Sequence, residues 1–405
     1  MAEEPERTGR RRRLLVLGAG PAQLGLLAAA RERGDLEVIA LDRDPAAPGF
    51  AFADKRAIIS TEDERGIARL AEAERVHGVI APGIDWPVSI AARVAERVGI
   101  PHPLSPATAA LAVSKARQRE RFENARVPQP VWRLVTEHED GLPIPCIVKA
   151  PDRQGQRGLS LVEEPSALAP AILRALHESR NGHAVVEELV DGPEVTVNAF
   201  SVDGVFHPLT VTDRLTAAPP AFGVALAHVW PSDGDAAGQA AEVAARAVEA
   251  LGIESGPTYT QLRIAPDGPQ VIEVAARLGG GHDAELCEAA LGLDLNGLAL
   301  SAALGEPVGQ LGSEPQVGGA ATVFLTAEPG ELEAVEGIEE AEGVEGVIRV
   351  RVYRRPGFEI GELRRGADRV GAVQAIGQSR EEALERAMAA AALVRFRTAR
   401  ARAVR

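Results

Sequence analysis

The sequence predicts an α/β protein, with a parallel strand layer covered by helices at the N-terminus and a larger, strand-rich body behind it. Three observations carry this reading. Residues 13–112 alternate short apolar runs with helix-length amphipathic segments, which is the rhythm of βαβ units. Between about residues 194 and 275, strand-like runs follow one another with a single helical pattern among them. The chain has 405 residues, 45% of them apolar and 25% charged, enough for several domains around a large buried core.

In chain order, "RLLVLGAG" reads as a buried strand and "PAQLGLLAAARERG" as a helix ended by Gly34. "EVIALDRD" and "GVIAPG" are the next strands, and "GIARLAEAERVHG" and "PVSIAARVAERVGI" the next helices. Right-handed crossovers between parallel strands make this a Rossmann-like layer. "LSPATAALAVSKARQRERFENARVPQP" reads as one helix, with Ser105 as N-cap, Pro106 at its first position and a stop before Pro128 and Pro130. "PCIVKA" and "LSLVEE" are strands on either side of a glycine loop; a helix over 166–180 and a strand "AVVEELV" follow. The strands "EVTVNAFSV", "GVFHPLTVTDR" and "GVALAHVWP" precede a helix over 235–251, and "PTYTQLRIA" and "PQVIEVAAR" come after it. "ELCEAALGLDLNGLALSAALG" is helical, and beyond about residue 308 a smaller α+β segment ends in an Ala-rich helix over 380–402.

A net charge of −14 argues against a broad nucleic-acid surface, because phosphate binding needs a basic face. Arg10 to Arg13 are the exception and read as part of a solvated tail. They do not read as an export signal, because the apolar run behind them breaks at Gly18-Ala19-Gly20-Pro21. The two cysteines, Cys146 and Cys287, imply neither a disulfide framework nor a thiolate metal site. No run approaches the roughly 20 apolar residues of a membrane helix. The expectation is a cytoplasmic enzyme without nucleic-acid or membrane partners.

Of 44 basic residues only three are lysines: Lys55, Lys115 and Lys149. Lys149 closes a strand and is followed by "DRQGQRG", whose Gly155 and Gly158 let backbone N–H groups approach phosphate oxygens beside a compact cation. Lys115 lies where it too can reach a phosphate, whereas Lys55 reads as a surface residue; chance retention of the pair is the alternative. In "VVEELVDGPE" the acids Glu187, Glu188 and Glu194 suit an adenine and ribose edge, although salt-bridged surface carboxylates would look the same. In "QVIEVAARLGGGHDAE", Glu273 at a strand end suits Mg²⁺, and Arg277 suits an anionic phosphoryl or tetrahedral species. Gly279 to Gly281 allow close backbone approach to a ligand, and a buried structural ion pair is the other reading. Gly18, Gly20 and Gly25, with Asp42 after the next strand, imitate a dinucleotide fingerprint, but the spacing is G-x-G-x-x-x-x-G and favours a tight structural turn.

Together these pieces resemble the ATP-grasp superfamily over residues 13–400. The resemblance implies an ATP-grasp fold with a Rossmann-like pre-ATP-grasp domain (13–112), a nucleotide-binding subdomain (113–192), a metal and catalytic subdomain (193–308) and a C-terminal α+β segment (309–405). It implies that Lys115 and Lys149 contact ATP phosphates, with Gly155 and Gly158 in the covering loop. Glu187, Glu188 and Val190 would bracket the adenine, and Glu194 would bind the ribose. Gln261 and Glu273 fall on metal-ligand positions for Mg²⁺ or Mn²⁺, and Arg277 on that of the transition-state arginine. One departure is Ala275, which stands where the family has a metal-binding Asn.

The implied chemistry is attack of a carboxylate on the γ-phosphate of ATP, giving an acyl phosphate that an amine converts to an amide. "LLVLGAGPAQLGLLAAARERG", "DRDPAAPGFAFAD" and "VEGVIRVRVYRRPGFEIGE" look most like L-amino-acid ligases and their carbamoyl-phosphate-synthetase-like kin. His228, with Gly280, Gly281 and His282, would then line the acceptor pocket, unless His228 merely closes its strand. Small carboxylate and amine substrates and, by analogy, a homodimer are implied. The alternatives are a purine-pathway-like enzyme activating bicarbonate or formate, and a nucleotide-binding protein impaired by Ala275.

Overall fold

The first layer consists of β1 (Arg12–Leu17), β2 (Leu36–Asp42), β3 (Lys55–Ile58) and β4 (Gly78–Ile80), all parallel, in the order β3-β2-β1-β4. The structure is a computed structural model that describes residues 11–139, 141–234, 236–312 and 314–399. Leu15, Leu17, Ile39 and Leu41 point into one apolar cluster, and Leu14, Val16, Val38 and Ala40 into another, so both faces of this sheet are covered. The helices are α1 (Leu24–Glu32), α2 (Glu64–Glu74), capped by Asp63, and α3 (Trp86–Val98), ended by left-handed Gly99. β3 had no counterpart in the sequence reading; it is a short, exposed edge strand in which Lys55 pairs with Glu37 and Glu74.

Two expectations about this region need correction. Arg11, Arg12 and Arg13 are not a solvated tail. Arg11 pairs with Asp54 (3.1 Å), Arg12 with Glu306 (2.5 Å) and Arg13 with Glu37 (2.9 Å), which fastens β1 to its surroundings. Arg10 and the residues before it lie outside the described residues. The predicted single helix after Ser105 is two helices, α4 (Pro106–Ala112) and α5 (Lys115–Asn124). Ser114 is extended and caps the second helix, accepting from Arg117 N, so its side chain competes with helix continuation. The break puts Lys115 at the first position of a new helix.

A small antiparallel sheet follows, formed by β5 (Trp132–Val135), β6 (Cys146–Lys149), β7 (Ser160–Val162) and β8 (Ala184–Glu188) in the order β5-β8-β6-β7. Its apolar face packs on α6 (Pro165–Glu178) through Cys146, Val148, Val186, Leu168 and Ile172. The two-residue period of β6 and β8 therefore sends Ile147, Lys149 and Glu187 to the opposite face.

The largest sheet is built from β9 (Glu194–Val202), β10 (Val205–Thr216), β11 (Ala225–Trp230), β12 (Gly256–Ala265), β13 (Gly268–Ala275), β14 (Gly319–Leu325) and two later strands. Beyond β14 lie β15 (Gly330–Glu336), β16 (Val347–Val352), β17 (Glu359–Ile360), β18 (Gly371–Gly377) and β19 (Arg395–Ala399). The eight-stranded order β13-β12-β9-β10-β11-β14-β18-β16 runs across residue 308, and β17-β15-β19 form a separate three-stranded sheet. The helices of this half are α7 (Ala237–Ala250), α8 (Asp283–Leu291), α9 (Leu295–Ala303), α10 (Ile338–Glu342) and α11 (Arg380–Leu393). The helical stretch expected over α8 and α9 is interrupted by Gly292, at φ +67°, and Asp294 caps the second piece. The terminal helix stops at Leu393 instead of 402, because Val394 and Phe396 bury against the C-terminal core and the chain extends to pair with β15. No helix of the described residues is long and apolar enough to cross a membrane.

Candidate active site

A cleft of about 190 Å³ opens between the β6–β8 face of the small sheet and the β9, β12 and β13 edge of the large one. Lys149 ends β6 on the cleft face, with its side chain only 6% exposed. Its Nζ lies 2.7 Å from Glu187 Oε2, and Arg119 Nε donates to Glu187 Oε1 at 2.7 Å. Arg119 also donates to the carbonyls of Val271 (2.8 Å) and Ile272 (2.7 Å), binding α5 to β13 and to the small sheet at once. Burial pushes the Lys149 ammonium below its ordinary value, and Glu187 offsets this only in part. Burial would raise Glu187, but Arg119 and Lys149 outweigh it and hold the carboxyl at about 2.

Lys115 reaches the same cleft from the start of α5. Its Nζ donates to Glu273 Oε1 at 2.6 Å and to the Arg153 carbonyl at 2.9 Å. Burial disfavours this ammonium too, yet Glu273, with Asp85 behind it, turns the net shift upward. Gln261 and Glu273 face one another across β12 and β13, next to a register shift at Gln261/Leu262. Ala275 is buried opposite Tyr259 and brings no oxygen; burial, with Asp283 adding to it, pushes the Tyr259 phenol up to about 12. Arg277 holds Asp85 through Nε (2.7 Å) and Nη2 (2.6 Å). At the other end of the cleft, Glu194 pairs with Arg214 at 2.5 Å.

The loop between β6 and β7 closes over this space. Gly155 has φ +63° and open space where a side chain would go, while Gly158, at φ +69°, faces an outer groove, and a Cβ on it would sit 3.0 Å from the Glu178 Cβ. Gln154 accepts the Asp85 backbone N–H, and Gln156 accepts that of Gly366 at 3.2 Å, so both neighbouring regions hold the loop. The Gly18–Gly20 turn is different. Gly20 N donates to Gln23 Oε1 (2.9 Å), Ala19 N to Asp42 (3.0 Å), and Gln23 Nε2 to the Pro82 carbonyl (2.7 Å), so the turn spends its donors on its own protein.

Lys115, Lys149, Gly155, Glu187, Glu188, Val190, Glu194, Gln261, Glu273 and Arg277 all line the one cleft. His228, Gly280, Gly281 and His282 do not. His228 Nδ1 is 2.9 Å from Asp283, whose carboxyl stays at about 2 because His228 outweighs burial. A Cβ on Gly281 would sit 2.6 Å from the His228 ring, and His282 is enclosed by Glu285 (3.0 Å) and the Tyr353 hydroxyl (2.5 Å). These side chains are occupied with one another behind the cleft, so the expected acceptor pocket is not formed by them here. Arg119, Asp85 and Arg214 were missed by the sequence reading. Arg119 follows Lys115 by four residues on one helix face, and Asp85 follows the carboxyl end of a parallel strand, so both had a readable signal.

Among the described residues, no group of three or more His, Cys, Asp or Glu side chains could hold a metal ion. Gln261 and Glu273 still offer two oxygens from adjacent strands. That suits Mg²⁺, which completes its shell with phosphate oxygens and water.

The fold of this chain is that of the ATP-grasp enzymes it superimposes on. Within it, residues 323–399 match the L-amino acid ligase C-terminal domain 2 family. The crystal structure of L-amino acid ligase from Bacillus licheniformis superimposes with a TM-score of 0.81 at 23% identity, covering 97% of this chain and 100% of that one. The biotin carboxylase domain dimer of Hydrogenobacter thermophilus 2-oxoglutarate carboxylase, in complex with MgADP, ADP and bicarbonate, gives 0.79 at 17% identity, covering 96% and 91%. By sequence, formate-dependent phosphoribosylglycinamide formyltransferase of Burkholderia cenocepacia is 28% identical over 408 residues, covering 96% of each chain.

Proposed function

We propose that the chain is an ATP-dependent carboxylate–amine ligase that activates a carboxylate as an acyl phosphate and passes it to an amine, releasing ADP and phosphate. One observation carries the reading: the buried Lys149–Glu187 pair, the partly buried Lys115–Glu273 pair and the Arg277–Asp85 pair, drawn from distant parts of the sequence, face a single cleft. Buried charges are costly unless they are paired, and pairs gathered along one cleft are placed to exchange a partner for an anionic ligand. The L-amino acid ligase match over the C-terminal residues supports an amino acid or other small carboxylate as substrate.

In this mechanism Lys149 and Lys115 neutralise the phosphates. Lys115 leaves Glu273 for the nucleotide and frees its carboxylate, which with Gln261 would hold Mg²⁺, or Mn²⁺ in its place. When bound, the metal ion neutralises phosphate charge. Glu187, Glu188 and Val190 border the base and Glu194 the ribose, while the Gly155 loop excludes water. Arg277, aimed by Asp85, stabilises the charge that develops on the transferred phosphoryl group. Phosphoryl transfer depends mainly on such positioning and charge neutralisation. An ATP-consuming ligase with two buried free cysteines fits the cytoplasm, and assembly as a homodimer is part of the proposal.

The test is ADP release by the full chain over pairs of amino acids, with mass detection of products. Amide formation supports the ligase, and no ADP with any carboxylate–amine pair overturns it. A second reading, activation of formate or bicarbonate on a purine ribonucleotide, is favoured by the full-length likeness to the formyltransferase. ADP release stimulated by a ribonucleotide alone would select it.

A further inference from the structure

We propose that the substrate joined at this site carries a second anionic group, a carboxylate or a phosphate, held in a cavity beside the cleft. The inference rests on the ligase reading and specifies its substrate class. The cavity, about 250 Å³, lies at the carboxyl ends of β2, β3 and β4, the crevice in which open α/β sheets receive ligands. It shares Asp85, Lys115, Arg153, Gln154, Gly155 and Arg157 with the cleft. A molecule whose reacting end meets the phosphates therefore extends its other end into this cavity.

Charge decides what that end is. In a chain of net charge −14, the cavity is lined by six cations, Arg43, Lys115 (already paired with Glu273), Arg153, Arg157, Arg180 and Arg365, against four carboxylates. Each of the four carboxylates has a protein partner on at least one oxygen, although Asp152 Oδ1 is buried without one. Asp42 accepts the Ala19 and Asp44 N–H groups, both at 3.0 Å, and Asp85 holds Arg277. Glu62 holds the Arg180 guanidinium at 2.7 Å, and Asp152 accepts the Arg180 N–H at 2.9 Å. Stacked 4.1 Å over Trp86, Arg180 is fixed as a wall. Arg43 and Arg157 make no ion pair and no side-chain hydrogen bond among the described residues, and Arg365 has only Asp368, at 3.3 Å. Arg43, Arg157 and Arg365 are exposed at the cavity rim, so an entering anion meets guanidinium forks that give up water rather than a protein carboxylate. A carboxylate or phosphate matches their geometry in a bidentate manner.

The experiment measures ADP release with MgATP in three arms: neutral amino acids, dicarboxylic amino acids, and phosphorylated acceptors such as O-phosphoserine and purine ribonucleotides. It compares wild type with the double variant Arg43→Ser/Arg365→Ser, since both arginines lie outside the cleft. An anionic arm should support turnover, and which of the two does so names the group. Its KM should rise on the order of tenfold or more in the variant, with the KM for ATP unchanged. Turnover confined to neutral amino acids would overturn the proposal and leave the ligase standing. If no arm yields ADP, the ligase reading fails instead. Calorimetric titration of the ADP-loaded proteins with aspartate and O-phosphoserine then decides the cavity. Weaker binding by the variant supports the anionic site, and equal or absent binding in both proteins overturns it.

Discussion

The turn at Gly18–Gly20 and the loop at Gly155–Gly158 both follow an apolar strand and open toward a helix or strand beyond. In the first, Gln23 and Asp42 take the backbone donors of Gly20 and Ala19, so these are not free for a phosphate. In the second, Gly155 faces open space, and Lys149 and Lys115 stand beside it in the cleft. Glycine spacing makes a phosphate loop sterically feasible; the neighbouring side chains decide whether its donors are free.

The contrast can be broken most forcefully on the cleft side. Lys149→Ala or Glu273→Ala should lower ADP release by at least about a hundredfold while leaving the circular dichroism spectrum unchanged. Retained turnover would remove the second loop from the chemistry. On the closed side, Gly25→Ala would put a Cβ 2.2 Å from Glu285 Oε1. It should cost about 1–3 kcal/mol in urea unfolding, with the KM for ATP unaltered.

Gln23→Ala should be similar or somewhat milder, about 1–3 kcal/mol, because the Pro82 carbonyl loses its buried donor. A change in nucleotide affinity instead would make the first turn functional after all. Glu187, whose carboxyl is held at about 2 against an ordinary 4.5, stabilises the fold fully above pH 4.5, and that stability is lost as the pH falls through 2. The difference in unfolding free energy between wild type and Glu187→Gln should therefore narrow from pH 4.5 downward. The smallest effect is expected for Gly155→Ala, which meets no atom but must hold φ +63°, a strain of about 1 kcal/mol read as a several-fold rise in the KM for ATP.

That Lys149, Glu187 and Glu273 could share one cleft was legible because they stand at or near strand ends with alternating patterns. His228 and His282 were misread for a matching reason. Each follows the residue pattern of a pocket wall, but Asp283 at the start of α8 meets His228 from across the sheet, and Glu285 lies one helix turn beyond His282. Nothing in the local sequence distinguishes a histidine facing solvent from one facing a buried carboxylate. The break between α4 and α5 was hidden similarly, because Ser114 is as compatible with a helix interior as with a cap until Lys115 finds its partners on β6–β7 and β13.

The sequence by itself determined most of the strand and helix order, the covered parallel layer and the scarcity of lysine, since periodicity and composition act within a few residues of one another. Tertiary structure alone decided which glycine turn stays open, that Arg119 rather than solvent balances Glu187, and that Asp85 crosses from the first layer to meet Arg277. Those outcomes depend on electrostatic pairing between segments more than 60 residues apart, where the interaction energy is set by distance and burial, and no local pattern encodes either.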